Sequence, residues 1–377
     1  MKNSSTPAAA FADTKPHYHI LDGLRGIAAL IVVFYHIFES FATSHLDQNI
    51  NHGYLAVDFF FILSGFVIGY AYDDRQPPLS KTQFIRRRLI RLHPMVVMGA
   101  LIGALVFYTQ GCEAWDVSKV TIGALFVAML LNMLLFPVWK GFEVRGIGEM
   151  YPLNGPSWSL FFEYIGNLLY IFFIRKLSTP LLACLVFIMG CILATYSITN
   201  VQGDLAVGWS FSDGGFWGGS LRLLFSFPAG LLLSRLFKKR PVRGAFWWGT
   251  ILIAAVTVVP RIGGSTHLWA NGIYDAFALI VIFPLIVWLG ASGETTDRLS
   301  TRICNFLGDI SYPLYIVHYP FLYLYYAWVK NNHLTFIQSL PGAAAFVIGS
   351  VVLAYLCLHF YDIPVRKWLT NRLKSKR

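Results

Sequence analysis

The sequence predicts an all-α protein: a polytopic membrane helix bundle of about ten transmembrane helices plus one re-entrant or broken helix. Three observations predict it. The 377 residues are 56% hydrophobic and only 13% charged, with a mean hydropathy of +0.57, whereas soluble chains carry about 25% charged residues. About eleven apolar stretches approach the roughly 20 residues that cross a bilayer. The Lys and Arg residues gather in alternate connections, which is the positive-inside pattern. Topology therefore accounts for the net charge of +11, and no nucleic-acid partner is expected.

The stretches follow in order. The first, 20–40, comes after a polar tail, Met1–His19, that lacks a cleavage pattern and reads as a retained signal anchor. The second, 54–72, and the third, 94–110, flank the cluster Arg75, Lys81, Arg86, Arg87, Arg88 and Arg91. The fourth, 119–138, is interrupted by Asn132 and Pro137. The fifth, 157–175, opens just after Pro156, a position that proline tolerates, and meets the sixth, 181–199, at Arg175 and Lys176. The seventh and eighth, 216–236 and 245–260, are separated by Arg235, Lys238, Lys239, Arg240 and Arg243. Arg298 and Arg302 divide the ninth, 272–290, from the tenth, 309–329. The eleventh, 337–360, runs into a basic tail from Arg366 to Arg377. The opposite connections hold only Lys119, Lys140, Arg145, Arg261 and Lys330.

Both termini are thus expected in the cytoplasm. Eleven crossings cannot achieve that. The charges fit if 119–138 dips in and returns, which is allowed where such a segment lines a protein cavity. The expected organisation is a polar tail at 1–18, one integral domain at 19–365 and a basic cytoplasmic tail at 366–377. Five scattered cysteines make neither a disulfide framework nor a CxxC site. No HExxH pattern occurs, so no metal is expected. No internal repeat suggests an inverted-repeat transporter.

Polar residues inside the apolar stretches carry the functional signal. A charged side chain near the bilayer centre costs about 3 kcal/mol on insertion scales. Arg25 and His36 are eleven residues apart. At about 100° per residue they share one helix face, about 16 Å apart along the axis. A cation near one surface and an imidazole near the other suit an anionic molecule held at one end and reacting at the other. Asp22 suits a helix N-cap, and Gly23 and Gly26 suit close approach. Asp58 lies in Val57-Asp58-Phe59-Phe60-Phe61, near the outer end of a span, and Ser64-Gly65 reads more readily as a tight helix contact than as a nucleophile. Arg88 and Arg91, three apart, face one side of a helix, and two guanidinium forks suit phosphate. Glu163 lies about two turns into its span. Its partner is expected to be His36, or else a serine or Arg222. His318, with neighbouring tyrosines including Tyr315, suits a polar sugar-binding mouth, or hydrogen bonding inside the bundle.

Together these residues closely resemble the acyltransferase-3 family of bacterial membrane O-acyltransferases. The resemblance covers roughly 18–370 and rests on five ordered motifs: LDGLRGIAAL with His36 downstream, VDFFFILSGF, FIRRRLIRLHP, PSWSLFFE and LGDISYPLYIVHYP. It departs at His93, where the family often has Tyr, and at Tyr319, where Trp is frequent; the C-terminal hydrolase-like extension of some members is not expected. The resemblance implies transfer of an acyl group, usually acetyl, from cytoplasmic acyl-CoA to a hydroxyl of an extracytoplasmic or lipid-linked glycan. His36 matches the family's catalytic histidine, Arg25 its partner arginine, Arg88 and Arg91 its Arg-x-x-Arg pair, and Glu163 its acid. Acyl-CoA is then a co-substrate bound by Arg25, Arg88 and Arg91, with no permanent cofactor. Trp158, Ser64, Tyr315 and His318 are the candidate acceptor contacts. His36 would serve as general base or as a transient acyl carrier, oriented by Glu163 or Asp58. The competing expectation is an exporter of a glycan or small anion, with Arg, His and Glu forming an ion path.

Overall fold

The computed structural model describes residues 17–43, 47–48, 50–75, 77–212, 214–295 and 297–374. Most of the expected N-terminal tail and the last three residues of the basic tail lie outside that set. Thirteen α-helices follow in order: α1 (His19–Glu39), α2 (Ala56–Tyr72), α3 (Lys81–Thr109), α4 (Ile122–Met133), α5 (Ser157–Phe172), α6 (Thr179–Thr199), α7 (Gly215–Leu236), α8 (Ala245–Val258), α9 (Trp269–Phe277), α10 (Phe283–Ser292), α11 (Arg298–Asn331), α12 (Phe336–Cys357) and α13 (Ile363–Lys374). Single π-turns at Ala278–Ile282 and Leu358–Asp362 join α9 to α10 and α12 to α13. Among the described residues, eight helical runs are long and apolar enough to cross a membrane. The protein is an all-α polytopic bundle.

Two further helices connect the two ends. α11 has 34 residues, about 51 Å at 1.5 Å per residue. α8 has only 14 residues, but its flanks reach both ends. Val242 bridges to Gly293 at the end of α10, and the Val259 carbonyl lies 2.8 Å from His52 Nδ1, ahead of α2. α4 does not connect them. Its twelve residues make about 18 Å, short of a hydrocarbon core of about 30 Å. Both its flanks sit at one end. Asn331, closing α11, donates to the Gly111 carbonyl at 3.0 Å, and the Met150 amide donates to the Trp209 carbonyl at 2.9 Å between α6 and α7. The break comes at Leu135, not at Asn132 or Pro137. Leu135 adopts a positive φ of 54°, held by Tyr151 Oη donating to its carbonyl at 2.8 Å. Asn132 instead donates back to the Ala128 carbonyl at 2.9 Å. Ten crossings bring both ends of the described chain together: Arg91 lies within electrostatic reach of Asp22 in α1 and of Asp362 before α13.

Two helices begin earlier than hydropathy suggests, because caps and not apolarity set their starts. Ser80 accepts from the Gln83 amide in a capping box that starts α3 through the arginine cluster. Asp297 accepts from the Ser300 amide and starts α11. Asp22 is not an N-cap. α1 starts at His19, which leaves Asp22 in the first turn, 2.8 Å from Arg25.

Close helix pairs fix the centre. α1 packs along α11, where a Cβ on Gly26 would collide with Leu307. α2 packs along α7, where a Cβ on Gly65 would strike the Phe227 carbonyl. The Ser64-Gly65 step is a tight contact, as its composition suggests. Between α2 and α7, Arg222 grips Asp58, Nε reaching both carboxylate oxygens at 3.1 Å and Nη2 reaching Oδ2 at 2.6 Å. Both side chains are essentially fully buried. Breaking a buried pair leaves an uncompensated charge. Asp58→Asn is therefore expected to cost about 2–3 kcal/mol, read as a lower yield of monodisperse protein in detergent. Native yield and melting temperature would refute this role.

Candidate active site

Arg25 and His36 share the face of α1 that packs on α11. Near the start of α1, Arg25 Nε donates to Ser311 Oγ at 2.8 Å and Nη2 to the Gly308 carbonyl at 3.1 Å. Its side chain remains 25% exposed. Toward the other end, the His36 ring stacks on His318 with centroids 5.5 Å apart and meets Tyr319 edge-on at 4.8 Å.

The imidazole's acid is Glu39. His36 Nδ1 lies 2.5 Å from Glu39 Oε2, three residues further along the same helix. With Nδ1–H donated to the carboxylate, Nε2 carries the lone pair that can accept a proton. The structure does not bring either expected acid to this ring. Glu163 Oε1 accepts from Arg88 Nη2 at 2.6 Å and from Ser64 Oγ at 3.0 Å, and Asp58 belongs to Arg222. The reason is local. Charges inside a bundle pair with the cation their own helix contacts supply, and α2, α3 and α5 supply Ser64, Arg88 and Glu163 together. Of the partners considered for Glu163, a serine is the one found, alongside an arginine.

Arg88 and Arg91 are not two equivalent free forks. Arg88 is 7% exposed and bound to Glu163, while Arg91 is exposed at the surface. The three-residue spacing turns one inward and one outward. Arg91 remains an electrostatic neighbour of Arg25 and Arg88.

A cavity of about 290 Å³ opens at the His36 end, near the lower bound for small-molecule sites. His36, Glu39, Arg222, Trp158 and Tyr315 line it. Two of the four expected acceptor contacts, Trp158 and Tyr315, are therefore in its wall, and Tyr315 shares a 2.7 Å hydrogen bond with Ser159. His318 is fully buried behind His36, with Nδ1 3.0 Å from the Leu314 carbonyl. Ser64 is committed to Glu163 and is not among the lining residues.

Glu149 also lines the cavity. It lies in the connection between α4 and α5, and sequence reasoning missed it. Tyr319 Oη donates to Oε1 at 3.0 Å and Tyr323 Oη to Oε2 at 2.5 Å. Burial pushes its carboxyl up to about 7, against the opposing pull of the two phenols and Arg145. Glu39 carried a signal in sequence, its i+3 spacing from His36. Glu149 carried none, since it lies in an irregular segment without periodicity.

The family model described as an acyltransferase domain matches residues 18–359. Among curated proteins, the chain is similar to acyltransferase MdmB of Streptomyces mycarofaciens, 25% identical over 323 residues, covering 79% of this chain and 77% of the relative. It is also similar to the protein named "Putative membrane-bound transacylase BcsY" of Komagataeibacter xylinus, at 26% identity over 348 residues, 89% of this chain and 80% of the relative. O-acetyltransferase OatA of Staphylococcus aureus is 23% identical over 361 residues, 92% of this chain and 57% of the relative. No solved structure matches.

Proposed function

The chain belongs to the acyltransferase-3 family as a multi-pass membrane O-acyltransferase, and from this premise we propose that it moves an acyl group, acetyl foremost, from cytoplasmic acyl-CoA to a hydroxyl of a cell-surface or lipid-linked glycan. The observation that carries this reading is the His36–Glu39 pair in a cavity wall, eleven residues along the same helix face from Arg25. The proposed orientation puts the basic end and both termini in the cytoplasm of a bacterial cell, at its plasma membrane. Exposed Arg91 and part-exposed Arg25 would then meet the CoA phosphates, with Arg88 beside them holding Glu163 in place. The pantetheine arm would run toward His36, a span of about 16 Å along α1.

In the transfer step, His36 Nε2 takes the proton of the acceptor hydroxyl as its oxygen attacks the thioester carbonyl. Glu39 steadies the resulting imidazolium. The tetrahedral intermediate collapses with cleavage of the C–S bond. The CoA thiolate leaves and takes the proton from the imidazolium, and the acyl ester remains on the acceptor. An exporter is the weaker reading, because Arg88 is paired with Glu163 and Arg222 with Asp58, so these groups do not form a chain of open ion sites.

Acetyl-CoA carrying a labelled acetyl group, supplied to the cytoplasmic face of membrane vesicles, is expected to label the glycan fraction only when the protein is present. Glycan movement across the membrane without any label transfer would overturn the proposal in favour of export.

A further inference from the structure

The mechanism leaves one buried carboxyl of the cavity without a task. Glu149 is 4% exposed, yet among the described residues no cation forms an ion pair with it. Arg145 lies within electrostatic reach but is not bonded to it: the guanidinium sits over the Tyr323 ring at 3.3 Å and donates through Nε to the Pro152 carbonyl at 2.5 Å, and its two terminal nitrogens have no hydrogen-bond partner among the described residues. Glu149 is held firmly all the same. Its backbone bridges to Ser210, the next amide is bonded to Trp209, and the phenols of Tyr319 and Tyr323 fix its two oxygens. A carboxylate offers about four acceptor positions, and the phenols fill two. The remaining ones belong to a group that lines a cavity walled by Trp115, Trp158 and Trp209. Aromatic rings beside a fixed carboxyl match a polyhydroxylated ring, whose apolar face stacks and whose hydroxyls donate.

We propose that Glu149 is an acceptor-binding carboxyl of this enzyme, taking hydrogen bonds from sugar hydroxyls next to the one that is acylated and so presenting that hydroxyl to His36. The proposal rests on the reading that the acceptor enters this cavity. Tyr319 links the two parts: its hydroxyl donates to Glu149 and its ring packs at right angles to the His36 imidazole. The competing role is structural, a tie between the α4–α5 connection and α11.

The test uses the full-length enzyme in nanodiscs, acetyl-CoA as donor and a membrane glycan extract as acceptor probe, titrated by sugar content. Glu149→Gln keeps the shape but turns one accepting oxygen into a donor. It is expected to raise the apparent KM for the glycan extract roughly 10-fold, in line with loss of about one hydrogen bond, with the KM for acetyl-CoA unchanged. An unchanged glycan KM, or a loss confined to kcat, would overturn the proposal. If that variant is not monodisperse, Tyr323→Phe removes the phenol that fixes the carboxyl but keeps the ring. It is expected to raise the glycan KM in the same selective way, and an unaltered value would equally refute the role. Failure of the native enzyme to transfer any acetyl group would bring down the parent reading and this one together. Normal native transfer with a silent Glu149→Gln change would bring down this one alone.

Discussion

His36→Ala is expected to reduce acyl transfer by about 10²–10⁴-fold, the usual contribution of one general base, with membrane insertion and detergent stability unchanged. The side chain is 13% exposed and sits at a cavity edge, its polar partner the exposed Glu39, so its loss leaves no buried ion unpaired. The measurement is acetyl transfer from acetyl-CoA to the glycan fraction, normalised to folded protein. Glu39→Gln should give a smaller loss, because the imidazole keeps a hydrogen-bond partner but loses the charge that steadies its protonated form. Asp58 and Glu163 are each bound to an arginine, so conservative changes there should act on stability before chemistry. Near-normal turnover in His36→Ala would end the assignment of this histidine. A defect in Glu163→Gln that reproduces His36→Ala at full stability would restore Glu163 as the orienting acid.

Arg88→Ala is expected to destabilise the bundle by about 1–3 kcal/mol, the effect of removing a charged hydrogen bond to a part-buried carboxylate. Glu163 would be left with only Ser64 Oγ at 3.0 Å. The check is thermal denaturation in detergent, together with the double variant Arg88→Ala/Glu163→Ala. With both charges gone the desolvation penalty disappears, so the double variant should melt closer to the native protein than Arg88→Ala alone. Arg91→Ala provides the contrast. That residue is exposed, so its loss should leave stability unchanged and raise the KM for acyl-CoA. Native stability in Arg88→Ala combined with a raised acyl-CoA KM would show that Arg88 is a donor clamp, not an anchor for Glu163.

The sequence by itself determined the class of fold, the order of the spans, the odd segment at 119–138 and the family. These are legible because hydropathy and loop charge are read against a solvent slab of fixed thickness, one segment at a time. The Arg25–His36 register was legible for a similar reason, since helix periodicity alone places two residues of one helix on one face. The tertiary structure alone decided which acid meets which base. Glu163 and Asp58 both sit inside spans, and nothing local distinguishes a carboxylate that faces an imidazole from one that faces an arginine. The choice depends on how α2, α3, α5 and α7 are rotated against one another, and there the low dielectric rewards the nearest full cation. Arg88 and Arg91 diverge for the same reason: three residues share a helix face only roughly, and neighbouring helices bury one and leave the other in solvent. Glu149 is the extreme case. Its place in the cavity comes from a segment without period, pinned through Trp209, Tyr319 and Tyr323, contacts that exist only once the bundle has closed around it.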